Sequence, residues 1–204
     1  MYIPKSFAET DAAILYDFMR ANNFAALITR HEGHIVASHL PFMVDTERGV
    51  LKAHLARAND QWKSFDGSET LIIFQGAHAY ISPTWYATHP SVPTWNYTAV
   101  HVYGVPQIIE DHATMRAMLR ELVANHEHGR IPEWTMDLPE DYLQTMMKSI
   151  VVFEIPIDRI EGKFKLSQNR SEVDQASVIE HLSNSAYPLE VQTAEITANR
   201  CAKA

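Results

Sequence analysis

Between residues 24 and 104 the chain runs through one short extended segment after another, the first of them joined by short turns. Residues 24–29, 34–42, 50–55, 70–75, 79–82 and 96–104 have the apolar and β-branched composition of strands. The Glu32-Gly33 pair turns the first into the second, and Glu47-Arg48-Gly49 turns the second into the third. Turns that short join antiparallel neighbours only, because a parallel crossover needs about a dozen residues or more. This order argues against a βαβ repeat. It predicts an α+β chain, with an antiparallel sheet or barrel flanked by helices.

Helical spacing appears at both ends of this strand-rich region. Ile14, Leu15, Phe18 and Met19 place a helix over residues 10–23, with Thr10 or Asp11 as its cap and Asn22-Asn23 as its stop. A short helix over residues 60–65 is capped by Asn59. Asp111 opens an amphipathic helix with Met115, Met118, Leu119, Leu122 and Val123 in one stripe, closed by Gly129 and Pro132. Pro139 starts another, and residues 149–155 read as a buried strand. Ser171 and Asp174 resemble a capping box for a helix carrying Val178, Ile179 and Leu182. Beyond Tyr187-Pro188 the chain is expected to be ordered only by packing on something else. With no repeat or linker, residues 1–204 read as a single domain with a helical C-terminal extension at 171–204.

At 204 residues and 46% apolar composition, the chain is long enough to bury a core without staples. Cys201 is the one cysteine, which excludes an intramolecular disulfide. No apolar run approaches the roughly 18 residues of a membrane span. The opening MYIPKSFAET lacks the apolar stretch of a secretory signal, so a cytoplasmic location is expected. Seventeen Lys and Arg against 25 Asp and Glu leave a net charge of −8. The one basic stretch, Arg159, Lys163, Lys165 and Arg170, is diluted by Asp158 and Glu161, and no basic helix-turn-helix is present. DNA binding is therefore disfavoured, and a small anionic ligand is the easier match.

The motifs of several chemistries are missing: GxGxxG, the Walker A loop, HExxH and GxSxG. With seven glycines in all, a phosphate has to be held by side chains and a helix end. Among 11 histidines, His126-Glu127-His128 could pass for a metal pair. His126, however, shares a face with Leu119, Leu122 and Val123 and reads as a core-edge residue, so no metal site is assigned. His39 and His54 differ in lying within strands.

Four segments carry more chemistry than packing requires. The first, His54-Leu-Ala-Arg57-Ala-Asn59-Asp-Gln-Trp62, places a guanidinium beside a helix start, a sound cradle for a phosphate. The second, Tyr80-Ile-Ser82-Pro-Thr-Trp85-Tyr86, and the third, Val92-Pro-Thr-Trp95-Asn96-Tyr97, bracket an aromatic, proline-rich loop. Flat rings interleaved with amides and hydroxyls suit a flat heteroaromatic ligand; a core or dimer contact would use the same rings. The fourth, Lys163-Phe-Lys165-Leu-Ser167-Gln168-Asn169, offers two lysines and a run of amide and hydroxyl groups.

These segments, together with Met1-Tyr2-Ile3-Pro4, resemble the PaiB-type FMN-binding negative transcriptional regulators from Met1 to about Leu182. That family belongs to the FMN-binding split barrels, alongside pyridoxamine phosphate oxidases. The resemblance implies a six-stranded antiparallel split β-barrel, a homodimer, and FMN in a cleft between subunits. It places Lys52, His54 and the following loop against the flavin phosphate and the pyrimidine end of the ring. Arg57 is then the first phosphate cation, with Lys52 and Lys165 next. His39 and His54 would donate to ring oxygens, and Trp85 or Trp95 would cover a ring face. Asn59, Tyr80, Ser82, Asn96, Tyr97, Ser167 and Gln168 complete the expected contacts. The protein is then a regulator or an FMN-dependent redox protein, with haem binding or degradation as the alternative.

Overall fold

The computed structural model describes residues 1–201. It is α+β, with ten strands and five α-helices. A six-stranded sheet has the order β1 (Ala8–Glu9), β10 (Arg159–Lys165), β7 (Thr94–Gly104), β6 (Thr70–Ile81), β2 (Phe24–His31) and β3 (His34–Pro41). A second sheet of four strands has the order β4 (Met43–Asp45), β5 (Val50–Ala56), β9 (Ile150–Pro156) and β8 (Gln107–Ile108). The six-stranded antiparallel sheet that the resemblance implied is thus present as a sheet, but not from the six segments read as strands. Residues 50–55 lie in the four-stranded sheet, and β1 and β10 join the six-stranded one. The helices are α1 (Ala12–Ala21), α2 (His112–Glu127), α3 (Glu140–Lys148), α4 (Glu172–Ser183) and α5 (Pro188–Cys201).

The described residues fall into two compact units. One comprises Met1–Phe18, Phe74–His101 and the chain from Glu161 onward; the other comprises Met19–Ile73 and Val102–Ile160.

In the second unit, β2 and β3 form a hairpin whose register pairs Leu27 with Ser38 and His31 with His34. Glu32 and Gly33 turn it with φ of +47° and +80°, which glycine tolerates without strain. Asp111 caps α2 as expected, accepting from the Thr114 N–H at 2.8 Å. The buried Met115 and Met118 of α2 pack with Met43, Leu143, Met147 and Val152, while Leu119 and Leu122 flank this cluster. His126 is exposed rather than at the core edge, one turn beyond the buried part of the stripe.

The first unit departs further from expectation. Residues 70–75 and 79–82 are not two strands, because β6 runs unbroken through Gly76. A Cβ at Gly76 would stand 2.4 Å from Thr98 Oγ1 and 2.8 Å from the Phe18 ring, so the glycine answers to close packing and not to a turn. Residues 159–165, read as a diluted basic stretch, form β10, which pairs with β1. Ser171 caps α4 by accepting from the Asp174 N–H. Asp174 does not complete a capping box; its buried carboxylate accepts from Ala87 N–H at 2.8 Å and Thr88 N–H at 3.4 Å. Burial alone would push that carboxyl up, but these backbone bonds, together with the Ser171 and Thr88 hydroxyls, outweigh it and hold its pKa below the ordinary value.

The segment after Tyr187 is helical and packs on α4. Its buried stripe is Thr193, Ala194 and Thr197. The threonine hydroxyls donate to Leu189 O and Thr193 O, so burial leaves them satisfied. Residues 202–204 of the expected extension lie outside the described residues. Among the described residues, no helix is long and apolar enough to cross a membrane.

Candidate functional site

In the second unit, the first cradle is built at the end of β5. Asn59 caps a short 3-10 helix (Asp60–Ser64) by accepting from Gln61 N–H, and its amide donates to Ser38 Oγ at 2.8 Å. Gln61, 1% exposed, donates to Leu27 O and Thr29 Oγ1 and pins this loop to β2. Arg57 does not ion-pair with Asp60, which is taken by Lys63 at 2.8 Å. The Arg57 Nε and Nη2 instead donate to Lys148 O and Ile150 O, both at 2.8 Å, with the guanidinium 5.7 Å from the Trp62 ring centre. Arg57 also lines a cavity of about 270 Å³ with Trp62, Glu110, His112, Met147 and Lys148.

Lys52 is buried with a carboxylate on either hand, Asp45 at 2.8 Å and Glu121 at 3.1 Å. Burial opposes its charge, but the two acids outweigh that and raise its pKa. Two anions beside one cation leave little attraction for a phosphate. Burial lowers the His54 pKa and favours the neutral imidazole. His39 is exposed on β3, stacked against Phe24 at 6.2 Å between ring centres.

The first unit brings the third and fourth segments together. The Asn96 amide, 1% exposed, donates to Ser167 Oγ at 2.9 Å. Ser167 holds φ of +63°, a left-handed conformation that costs a non-glycine residue about 1 kcal/mol or more. Gln168 locks the same turn, accepting from Leu166 N–H at 2.6 Å and donating to Phe164 O. Lys165 Nζ donates to Thr94 Oγ1 and to Trp95 O. Burial, then the neighbouring charges of Lys163 and Arg170, push its pKa down. Trp95 is 53% exposed and Tyr80 42%, and their rings meet edge to face at 5.9 Å. Tyr97 lies under Lys163 Nζ at 5.2 Å.

Two expected ligands have other partners here. Trp85 stacks on His181 of α4 at 5.0 Å and 16°, and its carbonyl accepts from Ser177. Ser82 caps the 3-10 turn Pro83–Trp85 through Thr84 N–H.

Residues absent from the expected flavin contacts adjoin them. Tyr86, Arg170 and Asn169 line a cavity of about 120 Å³ together with Thr94, Asn96 and Lys165. The buried Tyr86 hydroxyl has no hydrogen-bond partner, a condition that costs about 1–3 kcal/mol. Arg170 sits over the Tyr86 ring at 4.2 Å. Tyr86 ends the aromatic segment and Arg170 follows Gln168-Asn169, so adjacency to two chosen motifs was the one available signal.

The first unit therefore offers an exposed aromatic pair, a rigid amide and hydroxyl turn, and cations not cancelled by acids. A family model described as "Putative FMN-binding domain" matches residues 1–159. The chain belongs to that FMN-binding family. Over 206 residues it is 37% identical to the protease synthase and sporulation protein PAI 2 of Bacillus subtilis (strain 168), covering 100% of this chain and 99% of the relative. It is 31% identical to the uncharacterized protein AN0679 of Emericella nidulans, over 90% of this chain and 91% of that one.

Among solved structures, the flavocytochrome Anf3 from Azotobacter vinelandii has a TM-score of 0.64 at 15% identity, covering 86% of this chain and 78% of that one. The FAD and heme binding protein from Mycobacterium smegmatis has a TM-score of 0.62 at 17% identity, covering 78% and 73%. At such identities the likeness is one of fold. This is an FMN-binding protein of the PaiB type, and FMN is its cofactor. The residues fit that group. A flat ring needs an open aromatic face, and a near-dianionic phosphate needs cations without competing carboxylates.

Proposed function

We propose that the protein is a homodimeric split-barrel flavoprotein that carries out redox chemistry on a small molecule. FMN would supply the hydride or electron transfer, while the chain supplies orientation and electrostatics. The observation that carries the reading is the exposed Trp95 and Tyr80 pair beside Lys165, a cation bonded to a hydroxyl and a carbonyl but to no acid. Trp95 and Tyr80 cover one face of the ring. Asn96, Ser167 and Gln168 hold the turn that keeps Lys165 aimed at its polar edge. Arg57, which lies in the second unit and whose partners are carbonyls, is proposed separately, from its place in the first motif, as the cation for the phosphate. A regulator acting through DNA is less favoured by a net charge of −8.

The test is the absorption spectrum of the freshly purified protein, followed by anaerobic addition of a nicotinamide donor. Bound flavin that bleaches and returns on exposure to air supports the redox reading. Flavin that binds but is never reduced, with duplex DNA shifted at micromolar protein, overturns it in favour of a regulator. A Soret band lost in His54→Ala would support haem instead. Sedimentation of a monomer that still binds FMN tightly would overturn the dimer.

A further inference from the structure

The small cavity at Tyr86 is not explained by a flavin ring. Ligand pockets for drug-sized molecules run to about 300–1,000 Å³. A volume near 120 Å³ admits a carboxylate or phosphate head and a few waters. Lys165 and Arg170 both line it, so two cations face one small space. Asn96, Ser167, Thr94 and Asn169 line it too.

The charge balance is one-sided. Burial and two like charges, Lys163 and Arg170, act on Lys165, and no carboxylate appears among the groups that do. Asp174, the buried acid of α4, is held by the Ala87 and Thr88 N–H groups and by the Ser171 and Thr88 hydroxyls. The Tyr86 phenol adds an independent sign of a missing partner. Its ring belongs to the core cluster with Ile81, Val178 and Leu182, yet its hydroxyl has no partner. A phenol kept rigid and unbonded is a donor in reserve.

We propose that this cavity binds the anionic head, carboxylate or phosphate, of a small molecule other than the flavin. Arg170 and Lys165 supply the charge, and Tyr86 and Asn96 supply neutral hydrogen bonds. The site lies next to Lys165 and the Trp95 carbonyl, so a ligand anchored there extends toward the aromatic pair. The proposal deepens the redox reading, because it names the substrate class: small anionic acids or phosphate esters.

The probe is inorganic phosphate, titrated calorimetrically into the FMN-loaded protein, with acetate as the carboxylate arm. Phosphate is expected to bind the loaded wild type. Arg170→Gln is expected to weaken it at least about ten-fold, and Tyr86→Phe about three- to ten-fold. Tyr86→Phe keeps the ring in its cluster, and a thermal melt verifies that both variants fold. FMN and riboflavin affinities are expected to stay at wild-type values in both. Phosphate binding to flavin-free protein but not to loaded protein would overturn the proposal, because the cavity would then hold the FMN phosphate. Unchanged phosphate affinity in both variants would overturn it as well. Failure of the redox reading is visible separately, in the flavin spectrum, and leaves the phosphate titration interpretable on flavin-free protein.

Discussion

Asn96 and Ser167 hold one another across 71 residues, with the Asn96 amide donating to Ser167 Oγ at 2.9 Å in a buried setting. The bond ties β7 to the turn after β10, and that turn contains the left-handed Ser167. Two opposing effects meet at this serine: the backbone costs energy there, and the side chain recovers some of it through Asn96.

Substitutions at Ser167 separate those effects. Ser167→Gly removes the backbone cost and the hydroxyl together, and a net change within about 1 kcal/mol is expected. Ser167→Ala keeps the cost and strands the Asn96 amide, so a loss of about 1–3 kcal/mol is expected. Urea unfolding of the two variants checks the order. Equal loss in both would mean that the positive φ stores nothing.

Arg57→Ala is expected to act twice. Loss of the bonds to Lys148 O and Ile150 O lowers stability by about 1 kcal/mol, a figure discounted for the exposure of the side chain. Loss of the cation proposed for the phosphate is expected to weaken FMN about ten-fold while leaving riboflavin near its wild-type affinity. Titration of both flavins into both proteins reads the difference. An equal loss for the two flavins would make Arg57 a clamp between β5 and the start of β9, with no part in phosphate recognition.

Lys52→Met is the contrasting case. The buried lysine stands between Asp45 and Glu121, and its removal leaves those acids facing each other. A stability loss of about 1–3 kcal/mol is expected, with FMN affinity changed less than about two-fold. A large and specific loss of FMN with stability intact would return Lys52 to the phosphate site.

His54 predicts a pH effect. Burial holds its folded-state pKa below the ordinary 6.5. As pH falls through about 6.5 the unfolded chain takes up this proton and the folded one does not. The unfolded state then binds more protons, so stability that is fully present above about 6.5 declines toward the folded pKa. His101 shifts in the same direction, from burial and then the N-terminal charge. Melting from about pH 7.5 down to about pH 5.5 should show a shallower decline in His54→Asn than in the wild type. Parallel curves would locate the proton uptake elsewhere.

Much of the local architecture was legible in the residues. Asp111, Asn59 and Ser171 cap the elements they precede, because a side-chain acceptor beside free N–H groups is a contact between sequence neighbours. The β2 and β3 hairpin was legible for the same reason, and the order of four motifs was enough to suggest the FMN-binding family.

What needed tertiary structure was every property set by a distant partner. Gly76 looks like a strand break until Phe18 and Thr98 fill the space beside it. Arg57, Lys52 and Lys165 are alike as cations in a motif, but two carbonyls hold the first, two acids cancel the second, and a hydroxyl and a carbonyl leave the third uncompensated. The stripe of α5 is threonine and alanine, invisible to an apolar count, because its hydroxyls bond to their own helix. Tyr86 reads as one more aromatic until its hydroxyl is found buried and unpartnered. Caps and turns are settled by the next few residues along the chain. Charge compensation and buried polar satisfaction depend on which remote groups folding brings within about 3 Å, and no local pattern encodes that.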